Sequence, residues 1–386
     1  MARMPSTERA LFLRDCLSAG EAAANGVTAK TNATRQKYWR HWERYAESTR
    51  IDPFFDSVPA LERDIITGAF AARVRTGEFG NGHQIKVAGV TDALAAISKT
   101  IELAGKPSPL YRAENKYQLH LERVVEGFRR VDPPTVPQLA VPVSVPRKNY
   151  EDNIKASDPV LRRIGCLMLV AFYYLLRVGE YTRPRFVVRN GKKVPATRTK
   201  QFSVGNVGFF KEGTVLPRTS MLEVLLTADL AVLKITNQKN GRMGQTITQH
   251  ATGSTACPVA ALAHIVNDIL VNGGNDETLL CSVYIGSKWE NIEATNMVVA
   301  VRDTAKTLKL HEQAIDPDLV GAHSLRAGGA MALKLHGYDD TTIMKMGRWT
   351  SLTFLQYIHN QIAHLSKDIS AKMSIPLPFV NVAAFS

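Results

Sequence analysis

The stretch from Val131 to Pro146, VDPPTVPQLAVPVSVP, places five prolines in sixteen residues. Proline has no amide hydrogen and a fixed φ, so such a run cannot continue a helix and favours extended, polyproline-like backbone. A chain of 386 residues is long for one hydrophobic core. The proline run therefore reads as a linker over residues 133–146, with one domain over 1–132 and a second over 147–386.

The first domain is expected to be all-helical. TNATRQKYWRHWERYAEST has Thr31 or Thr34 as a cap, with Tyr38, Trp42 and Tyr45 at helical spacing. Three more periodic runs follow: PALERDIITGAFAARVRTG, VAGVTDALAAISKTIELAG closed by Gly105, and YQLHLERVVEGFRR. A basic four-helix domain results. Arg35, Lys37, Arg40 and Arg44 lie between the aromatics, with Lys86 farther along, and these are the candidate contacts to a polyanion. They read equally well as the solvated face of amphipathic helices.

The second domain is mixed, mainly α. Its longest apolar run, Ile164 to Leu176, is 13 residues, short of the roughly 20 that span a bilayer, and reads as a buried helix. CPVAALAHIVNDILVNG is a second helix. Between the two lie strand-like pieces, EVLLTA, AVLKITNQ and QTITQH, with Asn240-Gly241 marking a hairpin between the last two. The expected fold is a helical N-terminal domain followed by an α+β domain with a small antiparallel sheet.

Charge narrows the partner. Lys and Arg number 48 against 35 Asp and Glu, a net +13, which favours nucleic acid or an anionic membrane surface. No segment reads as a membrane span or a secretory signal, so nucleic acid in an intracellular setting is the stronger expectation. Cys16, Cys166, Cys257 and Cys281 show no paired spacing and read as reduced thiols, not as a disulfide frame or a zinc site.

His-x-x-Arg occurs at His41/Arg44, His120/Arg123 and His323/Arg326. Only the third is followed by Gly-Arg-Trp and a tyrosine. Around that tyrosine Leu355, Ile358, Ile362, Leu365 and Ile369 form one apolar stripe. Tyr357 lies off it, beside Thr353, Phe354, Asn360 and Gln361, which suits a reactive side chain better than a packed one. Upstream, Arg177 ends the apolar helix and Glu180 can orient it by a charge-assisted hydrogen bond. Lys239 sits at the expected hairpin tip, with Lys234 a rival, and Trp349 taken alone reads as packing.

Together these residues resemble the tyrosine recombinases, or phage-type integrases, over nearly the whole chain. Arg177 with Glu180 matches the first arginine box and Lys239 the hairpin lysine. His323-Ser-Leu-Arg326 matches the second box, Trp349 the His/Trp position and Tyr357 the nucleophile. GRWTSLTFLQYI and ACPVAALAHIV look closest to the recombinases of eukaryotic mobile elements (algal, oomycete and DIRS-type). The interval from Trp349 to Tyr357 is one residue shorter than in phage members.

The resemblance implies site-specific cutting and rejoining of double-stranded DNA through a 3′-phosphotyrosyl link, with no metal, cofactor or ATP. It implies a homotetramer on synapsed DNA and, in a eukaryote, a nuclear location (the nucleoid in a bacterium). The apolar tail from Ser374 is expected to dock on a neighbouring protomer or on its own domain. Other readings are a domesticated or inactive DNA-binding protein on the same fold, a metal-dependent integrase, and a type IB topoisomerase.

Overall fold

The computed structural model describes residues 6–111, 116–133, 139–189, 192–196, 200–236, 244–351 and 355. The chain forms two compact units. One comprises Met1–Thr135 with Arg185–Thr197, the other Val136–Pro184 with Arg198–Ser386.

In the first unit the helices are α1 (Ser6–Asn25), α2 (Ala29–Thr49), α3 (Ala60–Thr76), α4 (Val87–Leu103) and α5 (Leu119–Val131). Five helices are therefore described where four were expected. Helix α2 starts earlier than its sequence suggested. Thr28 is the cap, its hydroxyl accepting from the Thr31 amide, which puts Thr31 and Thr34 inside the helix. Trp42 and Tyr45 are buried with Phe55, Phe70, Leu94 and Ile97, so the aromatic spacing on α2 is that of a core face. The Trp42 indole donates to the Pro53 carbonyl at 2.9 Å. Gly105 follows α4 at φ +81°, a left-handed position that costs glycine little. Long-range carboxylates cap two helices. Asp64 accepts from the His120 and Leu121 amides at the start of α5, and Asp132 from the Val87 amide at the start of α4.

The second unit begins with α6 (Ser144–Asn153) and α7 (Pro159–Tyr173). Helix α6 opens inside the proline run, with Pro146 in its first turn, where the missing N–H costs nothing. Helix α7 carries the apolar run. Asp158 caps it, and ten consecutive residues from Arg163 to Phe172 are buried. The strands β1 (Phe186–Arg189) and β2 (Lys192–Pro195) pair as an antiparallel hairpin that belongs to the first unit.

Next come β3 (Val207–Lys211), β4 (Thr214–Leu216), α8 (Leu222–Leu225), β5 (Leu230–Lys234), β6 (Thr246–His250) and α9 (Pro258–Val271). The four strands form one antiparallel sheet in the order β4-β3-β5-β6. Strands β5 and β6 pair antiparallel, Leu230 opposite His250 and Lys234 opposite Thr246, and the Asn240-Gly241 turn expected between them lies outside the described residues. The piece EVLLTA is not a strand. Leu225 and Ala228 are buried while Val224, Leu226 and Thr227 are exposed, so burial recurs every three residues, as on a helical turn, and not every two. A further hairpin, β7 (Ser282–Ile285) with β8 (Lys288–Asn291), leads to α10 (Ala294–Thr307), α11 (Ala322–Leu335) and α12 (Asp340–Gly347). Buried residues of α7, α9 and the sheet make one continuous core, to which α10 adds Met297 and Val301. A satellite cluster of Leu175, Ala330 and Ile343, with Trp349 against it, lies beside the candidate site. Among the described residues no helix is long and apolar enough to cross a membrane.

Candidate functional site

The site is built where α7 ends. Leu175, just past α7, is left-handed at φ +47°. A non-glycine residue pays roughly 1–2 kcal/mol for that conformation. The turn exposes the Leu175 carbonyl to two arginines from the far end of the chain. Arg326 donates to it from Nη1, and Arg348 from Nη2 at 3.1 Å. Hydrogen bonds from charged donors contribute about 1.5–3 kcal/mol each, enough to offset the strain.

Arg177 lies two residues on and starts a short 3-10 turn over Val178–Glu180. Glu180 folds back on it, accepting from the Arg177 amide at 2.8 Å and from Arg177 Nη1 at 3.3 Å. The expected Arg177–Glu180 contact thus exists, but Glu180 is shared. Arg348 donates to both of its carboxylate oxygens, at 3.0 and 2.9 Å. Burial alone would raise the Glu180 carboxyl; Arg348 and then Arg177 more than offset it, holding the group below the usual carboxylate range.

Helix α11 supplies His323 and Arg326, and it approaches closely because of two glycines. A Cβ on Gly328 would lie 2.1 Å from the Val141 carbonyl oxygen, and one on Gly329 would lie 2.3 Å from that of Phe172. Both distances are well inside contact, so the Gly-Gly pair admits backbone where any side chain would wedge the helices apart. Arg326 is only 1% exposed. Besides Leu175 it donates to the Gly347 carbonyl, and the Trp349 ring lies over its guanidinium at 4.4 Å. Gly347 makes room for that ring, since a Cβ there would sit 1.7 Å from it. Trp349 is therefore more than packing: it is the lid on a buried arginine.

His323 is half-buried in the first turn of α11. Burial, then the charges of Arg326 and Arg177, hold its imidazole below the ordinary value. Arg177, Glu180, His323, Arg326 and Trp349 thus lie in one neighbourhood, although nearly 150 residues separate the first box from the second. Lys239 and Tyr357 lie outside the described residues, as does the tail from Ser374. Lys234, the rival lysine, ends β5 and is exposed.

Arg348 was missed by sequence reasoning. It occupies the residue after α12 at φ +57°, a place where glycine is common, yet it is 8% exposed. A strained, buried arginine is a sign of function, and the only hint in the sequence was its position between Gly347 and Trp349.

In the first unit Lys37, Arg40 and Arg44 are exposed on α2, Arg35 is half-buried, and Lys86 is exposed at the start of α4. His41 stacks on Phe79 at 5.2 Å, and its imidazole is lowered by burial and then by Lys37 and Arg44, which registers the local positive field. Among the described residues no group of three His, Cys, Asp or Glu is arranged to hold a metal.

Neither a family model nor a curated protein sequence matches the chain. Solved structures similar to it include the Tn1549 transposon integrase in complex with transposon right end DNA. That pair gives a TM-score of 0.48 and 11% identity, covering 92% of this chain and 98% of that one. The XerH site-specific recombinase bound to palindromic difH substrate gives 0.45 and 14%, over 81% of this chain and 72% of that one. The XerA recombinase gives 0.35 and 13%, over 92% and 97%.

Proposed function

We propose that the protein is a tyrosine-type site-specific DNA recombinase, and that its partner is double-stranded DNA synapsed by a homotetramer. The observation that carries this reading is the convergence of Arg177, His323, Arg326 and Trp349 at the turn that follows α7. The resemblance of the sequence to that family supplies Lys239 and Tyr357.

Cutting a phosphodiester requires a nucleophile, neutralisation of the non-bridging oxygens and an acid for the leaving oxygen. Arg177, with its side chain 23% exposed, is the arginine a phosphate meets first. Arg326 meets the second oxygen after a shift of Trp349, which stacks over it. Tyr357 Oη attacks phosphorus, the bond to the 5′-oxygen breaks, and Lys239 protonates that oxygen. The 3′-phosphotyrosyl bond stores the energy for rejoining, so no ATP is consumed. A phenol ordinarily loses its proton near pH 10, and two guanidiniums nearby favour the phenolate. His323, kept neutral, can accept a proton as well as hydrogen-bond the phosphate.

The test is covalent trapping. Wild-type protein is mixed with a randomised pool of nicked duplexes, and the adducts that survive denaturation are sequenced. Wild type is expected to trap a defined sequence, whereas Tyr357→Phe binds that sequence and traps none. Trapping that survives Tyr357→Phe overturns the assignment. Specific binding without trapping in wild type favours instead an inactive DNA-binding protein, a reading that the enclosed Arg326 also fits.

A further inference from the structure

A cleft of about 540 Å³ lies beside the site, lined by Gly244, Thr246, Thr341, Lys345, Arg348 and Trp349. Arg348 is committed on one side only. Its two Nη atoms bond Glu180 and Leu175, while its Nε is buried and has no hydrogen-bond partner among the described residues. A buried donor on a cationic side chain is costly to leave unmade, and an anion is the ligand that fits it.

The other walls agree in sign. Lys345 is exposed in the last turn of α12, and Thr341 is exposed in the first. The end of α12 would ordinarily present partial negative charge to the cleft. Here the carbonyls of Met344, Lys345 and Gly347 already accept, from the Trp349 and Arg348 amides and from Arg326. Glu180 is the acidic group facing Arg348, and it lies on the side opposite the Nε donor, paired through the Nη atoms.

From this geometry we infer that the cleft is a second phosphate subsite, separate from the one formed by Arg177 and Arg326, which takes a backbone phosphate of the bound DNA. Lys345 supplies charge, Thr341 a hydroxyl, and Arg348 the directed N–H. Reaching that N–H takes a side-chain adjustment at the cleft wall, and Trp349, which must also move to open Arg326, is the neighbouring wall. Occupation of the two subsites is thereby linked through one indole. The inference rests on the DNA-binding reading.

The experiment measures affinity of the full chain for a mixed-sequence DNA duplex across a salt series. Removing one phosphate-neutralising cation makes the slope of log K against log salt shallower by about 0.9. Lys345→Ala is expected to lose that much slope and several-fold in affinity, while Lys288→Ala, on β8 outside the cleft, keeps both. Arg348→Lys retains the charge opposite Glu180 but loses the Nε donor. It is expected to weaken binding several-fold, and because lysine also gives up Nη bonds to Glu180 and Leu175, binding is measured well below the melting temperature of the variant. A wild-type slope in Lys345→Ala, or wild-type affinity in Arg348→Lys, overturns the subsite. A flat salt dependence in the wild type overturns the DNA-binding reading itself.

Discussion

Replacing Glu180 by Ala removes a carboxylate that is 2% exposed and leaves Arg348, its side chain 4% exposed, without its counter-charge. Stripping one partner from a buried ion pair costs about 3–5 kcal/mol, because the remaining charge stays desolvated. The Arg177 amide, which donates to Glu180 at 2.8 Å, loses its acceptor as well and adds roughly 1 kcal/mol. At about 2–4 °C per kcal/mol for a unit of this size, the second unit should melt roughly 8–24 °C lower. Scanning calorimetry, which separates the transitions of two units, is the assay. A partner arm uses Glu180→Leu with Arg348→Met. Removing both charges together should cost less than Glu180→Ala alone, since no orphaned charge remains. The effect also has a pH signature. Because the folded carboxyl is held below its ordinary 4.5, its contribution is complete above that pH and disappears as pH falls through the depressed value. The gap between wild type and Glu180→Ala should therefore close in acid. A loss under about 1 kcal/mol at neutral pH, of the size seen for exposed pairs, would refute the claim that this ion pair organises the site.

Two further outcomes are expected. Gly329→Ala forces a Cβ to 2.3 Å from the Phe172 carbonyl oxygen, so α11 must back away from α7. Overpacking of this kind costs about 1–3 kcal/mol, to be read from urea unfolding. For His323, whose imidazole is lowered by burial, Arg326 and Arg177, an NMR titration should place the midpoint below 6.5 in wild type and nearer to it in Arg177→Gln. A midpoint at or above 6.5 in wild type contradicts the environment described.

Some of this was legible in the residues and some was not. The apolar run of α7, the glycine after α4 and the pairing of β5 with β6 depend on neighbours close in sequence, and local patterns report them well. The short strands β1–β4, β7 and β8 escaped notice because three to five residues carry too little alternation. The piece EVLLTA looked extended by composition, yet its first residues belong to a turn of helix, Leu222–Leu225, with Leu225 and Ala228 buried three residues apart. Within the site, Arg177 and Glu180 were visible together because three positions separate them. Arg348 was invisible for the opposite reason: its carboxylate partner lies 168 residues away, and nothing local distinguishes it from a solvated helix end.

That separation of 168 residues has a meaning for how the chain is made. Synthesis runs from the N-terminus at about 5–20 residues per second, so Glu180 is made roughly 8–34 s before Arg348. Over that interval Arg177 and Glu180 exist, but the guanidinium that organises the Glu180 carboxylate does not. The turn after α7 therefore gains its organising ion pair only once α12 has been made, so this neighbourhood is among the last parts of the second unit to take its final form.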